Sequence, residues 1–479
     1  MFEGTTVQWQ SSRRAPAWAL AVGMALFAAL LQASFIPIDG DISWLITVSE
    51  RVLDGQRLYV DVIEVNPPAS VWLYLPWVAL ARLCGLRPEG VIVGATLVGA
   101  LLSLRATLRL TARLPQASNP VAVAAAVGFV TLLLPGGLFA QREHVALLLA
   151  IPTIAAIVLL GHRGRLPRRT ALLAGLGAGL IIAIKPHFAL ALLLPALGAS
   201  RKLRSPAPLL VPALVAAAVV ALYALAVVLF EPAFLTLLPM LAATYLPMGP
   251  PWWHYFASSL LIVPAALVAA AVLLRARPGN GLAAGWLLGG VGFALAGLLQ
   301  WKNYANHAFP GVALCLAGVV LLLLSGAGDP RRRRTIGIGV AALALALVSQ
   351  TVSIRPDPTL AVAIARVAPP HPTMMTLGSD LVTGHPVVRN IGGRWVGRRA
   401  ALFTAAGALY VGLDKPGIRH WYDEDLAQWV ADVRAHRPEV MLVEDSNRGW
   451  LLKEPQVRAA MRDYRPAARA GEIEVWRRR

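Results

Sequence analysis

The feature that most constrains this chain is the alternation of long apolar runs with short clusters of arginine. "SSRR" at 11–14, the ladder Arg105, Arg109 and Arg113, "HRGRLPRR" at 162–169, "RKLR" at 201–204, "RAR" at 275–277 and "RRRR" at 331–334 separate stretches that carry almost no charge. An apolar run of about 20 residues crosses a bilayer, and basic clusters mark the loops that stay on the cytoplasmic side. Composition agrees, since 57% of the 479 residues are hydrophobic and only 14% are charged, too apolar for a soluble globule of that size. The formal charge of +19 is therefore topological, and no nucleic-acid partner is expected. Cys84 and Cys315 form neither a disulfide framework nor a paired metal motif, which argues against redox and zinc chemistry.

With all six clusters inside, the apolar runs near 16–36, 91–108, 120–137, 144–160, 171–184, 188–199, 209–230, 257–274, 282–300, 305–325 and 336–354 give about eleven crossings. The N-terminus is then cytoplasmic, and the first run is an uncleaved anchor in the inner membrane. The segment "PPASVWLYLPWVALARLCG" (67–85) is read as an amphipathic juxtamembrane helix, because counting it as a crossing would put the later arginine clusters outside. The run 170–199 is broken by "IKPHF". Each half has about 14 residues, roughly 21 Å of helix against a core of about 30 Å. Irregular backbone at that depth is tolerated where it lines a cavity, so Lys185, Pro186 and His187 are candidates for a cavity floor. From residue 355 onward charge returns, with 19 basic and 14 acidic residues, and strand-like "TMMTLG", "VMLVED" and "EIEVW" alternate with helix-like "EDLAQWVADVRAH". The expected architecture is a polytopic α-helical membrane protein, residues 1–354, with a small extracytoplasmic α/β domain at 355–479.

On that topology the polar motifs face outward. They are the loop "IPIDGDISWLITVSERVLDGQRLYVDVIEVNPPAS" (36–70), "AQREH" (140–144), "KPH" (185–187), "EPAFLTLLPMLAATYLPMGPPWWHYF" (231–256) and "QWKNYANHAFP" (300–310). There is no Walker loop, no dinucleotide fingerprint, no HExxH and no GxSxG. Outside a cell no nucleotide sugar is at hand, so a bond-making enzyme there needs an activated donor in the membrane, such as a phosphate-linked lipid. Its chemistry needs a carboxylate to take a proton from an attacking hydroxyl and cations to hold the departing phosphate. Asp39, Asp41 and Glu143 can supply the first; Arg142, Lys185, Lys302, His187 and His307 the second.

Several features in order carry a resemblance. An acidic residue follows the first span, then a helix, "GQRLYVD", a Pro-Pro pair before an aromatic helix, a second acidic site after the third span, and an outer soluble domain. This order resembles the GT-C superfamily of membrane glycosyltransferases, and within it the bacterial protein mannosyltransferase and aminoarabinose transferase branch. The resemblance implies an inverting transfer of a sugar from a polyprenyl-phosphate donor to a glycan, lipid or protein hydroxyl. It puts the base on Asp41, with Asp39 as rival, and the second acidic site on Glu143. The acidic neighbour common in the family is Ile42 here, and the lysine before the Pro-Pro pair is Asn66, which puts a phosphate contact on Arg142, Lys185 or Lys302.

Plainer roles compete with these. Asp39 and Asp41 can cap the helix starting near Ile42, and Glu143 with Arg142 can be a structural ion pair. The histidines can serve interfacial hydrogen bonding, and Trp252 and Trp253, like Tyr304 a substrate or loop candidate, can belong to an aromatic belt. Tyr59 and Asp61 can be packing residues of their loop. Magnesium or manganese at Asp39 and Asp41 would suit hard oxygen ligands, although two carboxylates are few. A lipid-linked sugar flippase should show internal repeats, which are not detected. An O-antigen-type polymerase or ligase should build its site in a late outer loop, yet 231–256 carries only Glu231 as an acid.

Overall fold

The computed structural model describes residues 14–114, 118–253, 281–302, 304–324 and 358–479, with 268, 269, 271 and 337 besides. Nine of the eleven apolar runs are helical there. The runs at 257–274 and 336–354 fall almost wholly outside the described residues, and His254 and Tyr255 lie outside them. In chain order the helices are α1 (Arg14–Ser34), α2 (Gly40–Leu53), α3 (Leu75–Cys84), α4 (Pro88–Thr111), α5 (Pro120–Gly128), α6 (Arg142–Arg163), α7 (Arg168–Ile184), α8 (Ala189–Leu203), α9 (Leu210–Phe230), α10 (Pro232–Met240), α11 (Gly281–Gln300) and α12 (Ala305–Leu324). Among the described residues six helical runs are long and apolar enough to cross a membrane: α1, α4, α6, Ala207–Phe230 with α9, α11 and α12. The protein is a multi-pass membrane protein. Residues 67–85 form a turn at Ala69–Trp72 and the ten-residue α3, both too short to span.

The broken run becomes α7, of 17 residues, and α8, of 15. The first is about three residues and the second about one residue longer than expected, and both fall short of a full crossing, at about 26 and 22 Å. Pro186 accounts for the break: it has no N–H to donate and drives the preceding residue out of the helical region. Lys185 accordingly sits at φ −149°, ψ 114°.

The chain divides into two compact units. One comprises Met1–Ile36, Ile92–Leu225 and Pro250–Ile354, and its core is built on α5, α6, α8, α11 and α12. Trp286 of α11 is fully buried and donates from its indole nitrogen to the Ile151 carbonyl of α6 at 3.3 Å. Small residues let these helices approach closely. A Cβ at Gly292 would collide with the Leu190 carbonyl of α8.

The other unit comprises Pro37–Val91, Ala226–Gly249 and Arg355–Arg479. It holds a five-stranded sheet in the order β2-β1-β3-β5-β4, from β1 (Thr373–Leu377), β2 (Arg394–Trp395), β3 (Val440–Glu444), β4 (Tyr464–Ala470) and β5 (Ile473–Arg478). β1 pairs in parallel with β2 and β3, and β5 runs antiparallel to β3 and β4. The central β3 is buried throughout, as expected of a strand covered on both faces. Pro466, which cannot donate to a ladder, lies on the edge strand β4. Helices α13 (Pro358–Val367), α14 (Phe403–Val411) and α15 (Ile418–His436) belong to this region, with shorter helices at Val387–Asn390, Asp445–Leu451 and Pro455–Ala460. On α15, Tyr422, Leu426, Trp429, Val430 and Val433 are buried at helical spacing and belong to one cluster with Met375, Leu377, Met441 and Val443 of the sheet.

Candidate active site

The sequence candidates fall into two constellations, one in each unit. In the loop after α1, α2 begins at Gly40, two residues before the expected start, and Asp39 is its N-cap. The Asp39 carboxylate accepts from the Asp41 N–H at 2.8 Å, which satisfies one of the orphan donors of the helix. Asp41 lies in the first turn, so its charge sits over the positive end of the helix dipole. The two acids, left as rivals by the sequence, occupy different positions: Asp39 is the N-cap and Asp41 lies in the first turn.

The other residues of that loop are held by a buried carboxylate that the sequence reading did not single out. Glu64 is 2% exposed; it accepts from the Trp44 indole N–H at 2.5 Å, from the Asn66 backbone N–H at 2.8 Å and from the Asn66 side chain at 2.5 Å. The Tyr59 hydroxyl donates to the Asn66 carbonyl at 2.6 Å, and its ring packs on Phe234 at 5.1 Å. Tyr59 itself has φ +64°. Asp61 is exposed and pairs with Arg57 at 3.1 Å. Tyr59, Asn66 and Glu64 therefore build the loop's interior, and Asn66 has a structural task where the family resemblance implied a lysine.

The second constellation surrounds the N-terminus of α6. His144 is buried and accepts from the Ala140 N–H at 3.1 Å through Nδ1 while donating to the Thr131 carbonyl at 2.8 Å through Nε2. Both ring nitrogens are used, so His144 is a neutral staple that ties the irregular segment after α5 to α6. Its neighbour Glu143, with no exposed surface, receives Lys185 Nζ at 2.5 Å. The break after α7 makes this possible by turning Lys185 away from the helical path. The ammonium also lies 5.8 Å from the centre of the Phe188 ring. Asn306 Nδ2 is 3.4 Å from both Glu143 Oε1 and Gln141 Oε1, and His307 Nε2 is 3.8 Å from Glu143 Oε1. Arg142 and Lys302 are buried as well. Burial lowers the Lys302 ammonium, in the α11–α12 connection, to about 8.

The structure thus brings Glu143, Lys185 and His307 together, with Gln141 and Asn306 as members that were quoted in motifs but not picked out. Buried polar atoms in this region remain unmatched: among the described residues Glu143 Oε2, His187 Nε2, Gln300 Oε1 and His307 Nδ1 have no hydrogen-bond partner. Such atoms in a native interior call for a ligand or water. Tyr304 is half exposed and stacks edge-on with His307 at 5.4 Å, while Trp252 and Trp253 are exposed and packed edge to face at 6.2 Å. Both tryptophans suit the interfacial role weighed for them. No set of three His, Cys, Asp or Glu side chains that could hold a metal occurs among the described residues.

No protein-family model and no curated relative matches the chain. Among solved structures, ArnT from Cupriavidus metallidurans bound to undecaprenyl phosphate aligns with a TM-score of 0.56 at 14% identity, over 96% of this chain and 97% of that one. The apo state of the same enzyme gives 0.55 at 14% identity, over 96% and 98%. ArnT is an aminoarabinose transferase of the GT-C class. At this identity the likeness is one of fold: along nearly its whole length the chain shares the fold of the ArnT structures.

Proposed function

We propose that this protein is an inverting glycosyltransferase that moves a sugar from a polyprenyl-phosphate donor to an acceptor hydroxyl at the outer face of the inner membrane. The observation that carries the reading is the end-to-end fold likeness to ArnT, one structure of which holds undecaprenyl phosphate. The arginine clusters support a cytoplasmic N-terminus and an outer location for residues 355–479. The sugar, a pentose or a hexose, and the acceptor, a glycan, lipid or protein, are set by contacts that the sequence does not name.

In the proposed reaction the Asp41 carboxylate takes the proton of the acceptor hydroxyl as its oxygen attacks the anomeric carbon. The bond from that carbon to the phosphate oxygen breaks, and the polyprenyl phosphate leaves with the electron pair. Asp41 is preferred to Asp39 on the family resemblance, which puts the base where the helix begins; Asp41 lies in the first turn of α2 and Asp39 just before it as N-cap. Arg142, Lys185 and Lys302, all buried cations, would hold the phosphate, with Glu143 beside Lys185 at 2.5 Å. His187 and His307 would hydrogen-bond the phosphate or the sugar through Nε2 and Nδ1. Glu143 would accept from a sugar or acceptor hydroxyl through Oε2, and Trp252, Trp253 and Tyr304 would guide lipid or sugar.

A divalent cation such as magnesium takes six oxygen ligands. Waters and a substrate phosphate commonly complete that shell around one or two carboxylates; Asp39 and Asp41 would be the protein's ligands, with one Asp39 oxygen shared with a backbone N–H, and the ion would neutralise charge on the departing phosphate. The test is to give the purified protein a panel of undecaprenyl-phosphate pentoses and hexoses labelled in the sugar. Release of undecaprenyl phosphate with label on an acceptor supports the reading. Label that crosses a vesicle membrane still attached to its lipid would instead indicate a flippase.

A further inference from the structure

We infer that residues 381–398, after β1 of the sheet, are the seat that positions α2, and that Arg389 and His385 are positioning residues for Asp41. This rests on Asp41 being the base. The contacts occur at both ends of the helix. At its N-terminus, His385 is fully buried, lies 3.4 Å from the Ser43 hydroxyl, and packs against Trp44 at 5.3 Å and Trp395 at 4.8 Å between ring centres. Gly40, between the two acids, is pressed so closely on this segment that a Cβ would stand 2.9 Å from the His385 carbonyl and 2.9 Å from Leu381 Cδ2. At the other end of α2, Arg389 donates to both oxygens of Glu50 at 2.6 and 3.0 Å and to Glu89 of α4 at 2.7 Å.

The end of α2 and the loop after it are held as well. Arg51 donates to the Gly397 carbonyl at 2.5 Å and to the Asp61 carbonyl at 3.1 Å, and the Ile63 N–H donates to the Arg398 carbonyl at 2.8 Å. A planar guanidinium that forks onto one carboxylate and reaches a second fixes direction as well as distance. With a packed contact at Gly40 and a bidentate one at Glu50, α2 can neither slide along its axis nor rotate about it without losing one of them. The position of the Asp41 carboxylate is thereby set by residues more than 300 positions away in sequence. Displacement of a reacting group by about 1 Å can cost on the order of 10²-fold in rate.

The experiment compares Arg389→Ala, Arg389→Lys and Gly40→Ala with wild type, in detergent, on whichever labelled undecaprenyl-phosphate sugar the wild type turns over, with hydrogen exchange followed over residues 40–53. In Arg389→Ala and Gly40→Ala, kcat should fall on the order of 10²-fold with the donor KM unchanged, and exchange in α2 should rise. Arg389→Lys, which keeps charge without the fork, should recover part of the loss. Unchanged kcat in folded Arg389→Ala, or a loss confined to KM, would overturn the inference. Should Arg389→Ala not fold, Gly40→Ala alone decides by the same readouts. Exchange in α2 is independent of the chemistry: raised exchange with full turnover in Asp41→Asn would sink the base assignment and spare the seat.

Discussion

The sequence favoured Asp41 over Asp39 only by its place just before the helix, because a cap and a base draw on the same residue type; in the structure Asp39 is the N-cap and Asp41 lies in the first turn. Since Asn caps as well as Asp while Ala does not, Asp39→Asn should keep stability and activity, and Asp39→Ala should lose about 1 kcal/mol in chemical denaturation. The Glu143–Lys185 pair is buried, and removing one partner strands the other charge. Lys185→Met or Glu143→Gln should each cost about 3–5 kcal/mol, and the double replacement clearly less than their sum; additive losses would contradict the pairing. Burial, with Arg389 adding to it, pushes His385 from 6.5 down to about 3. Between those values the unfolded chain binds the extra proton, so stability falls as pH drops from about 6.5 toward 3, and His385→Gln should flatten that slope in unfolding curves. If Lys302 holds phosphate as an ammonium, the donor KM should rise as pH passes about 8, and Lys302→Arg should remove the rise. Glu64 and Arg389 were not legible in the sequence because what defines them is partners: Trp44 is 20 residues from Glu64, and Glu50 is 339 from Arg389.

At the scale of elements, proline and periodicity carried most of the signal. The break at "KPH" was legible because Pro186 forbids a continuous helix. The end of the third run was not: the expected span 120–137 gives way after Gly128 to a π-turn and a 3-10 turn, held by a His144 bridge to Thr131 that no local pattern announces. The strands at 373–377 and 440–444 stood out as short apolar runs, and the helix around 424–436 by its amphipathic pattern. The two-residue β2 and the arginine-rich β4 did not, since an exposed edge strand carries little apolar pattern. Close helix approach is a further property of an element. Gly292→Val should drive α11 from α8, lowering the thermal midpoint in detergent, whereas Gly94→Val, where nothing stands within 4 Å, should not.

For the whole molecule, the separation of arginine clusters from apolar runs was enough to read a polytopic membrane protein, and the order of acidic loop, Pro-Pro pair and late soluble region was enough to suggest the fold that the ArnT structures share. The grouping of residues 37–91 and 226–249 with 355–479 in one compact unit was not legible, because it depends on contacts between segments far apart in the chain. The central claim is glycosyl transfer with Asp41 as base. Its most direct test is the rate at which Asp41→Asn releases undecaprenyl phosphate from the labelled donor accepted by wild type, with Asp39→Asn as control. The account predicts a fall of about 10²–10⁴-fold in Asp41→Asn, unchanged membrane insertion and thermal midpoint, and near wild-type turnover in Asp39→Asn. Full turnover in Asp41→Asn would contradict it.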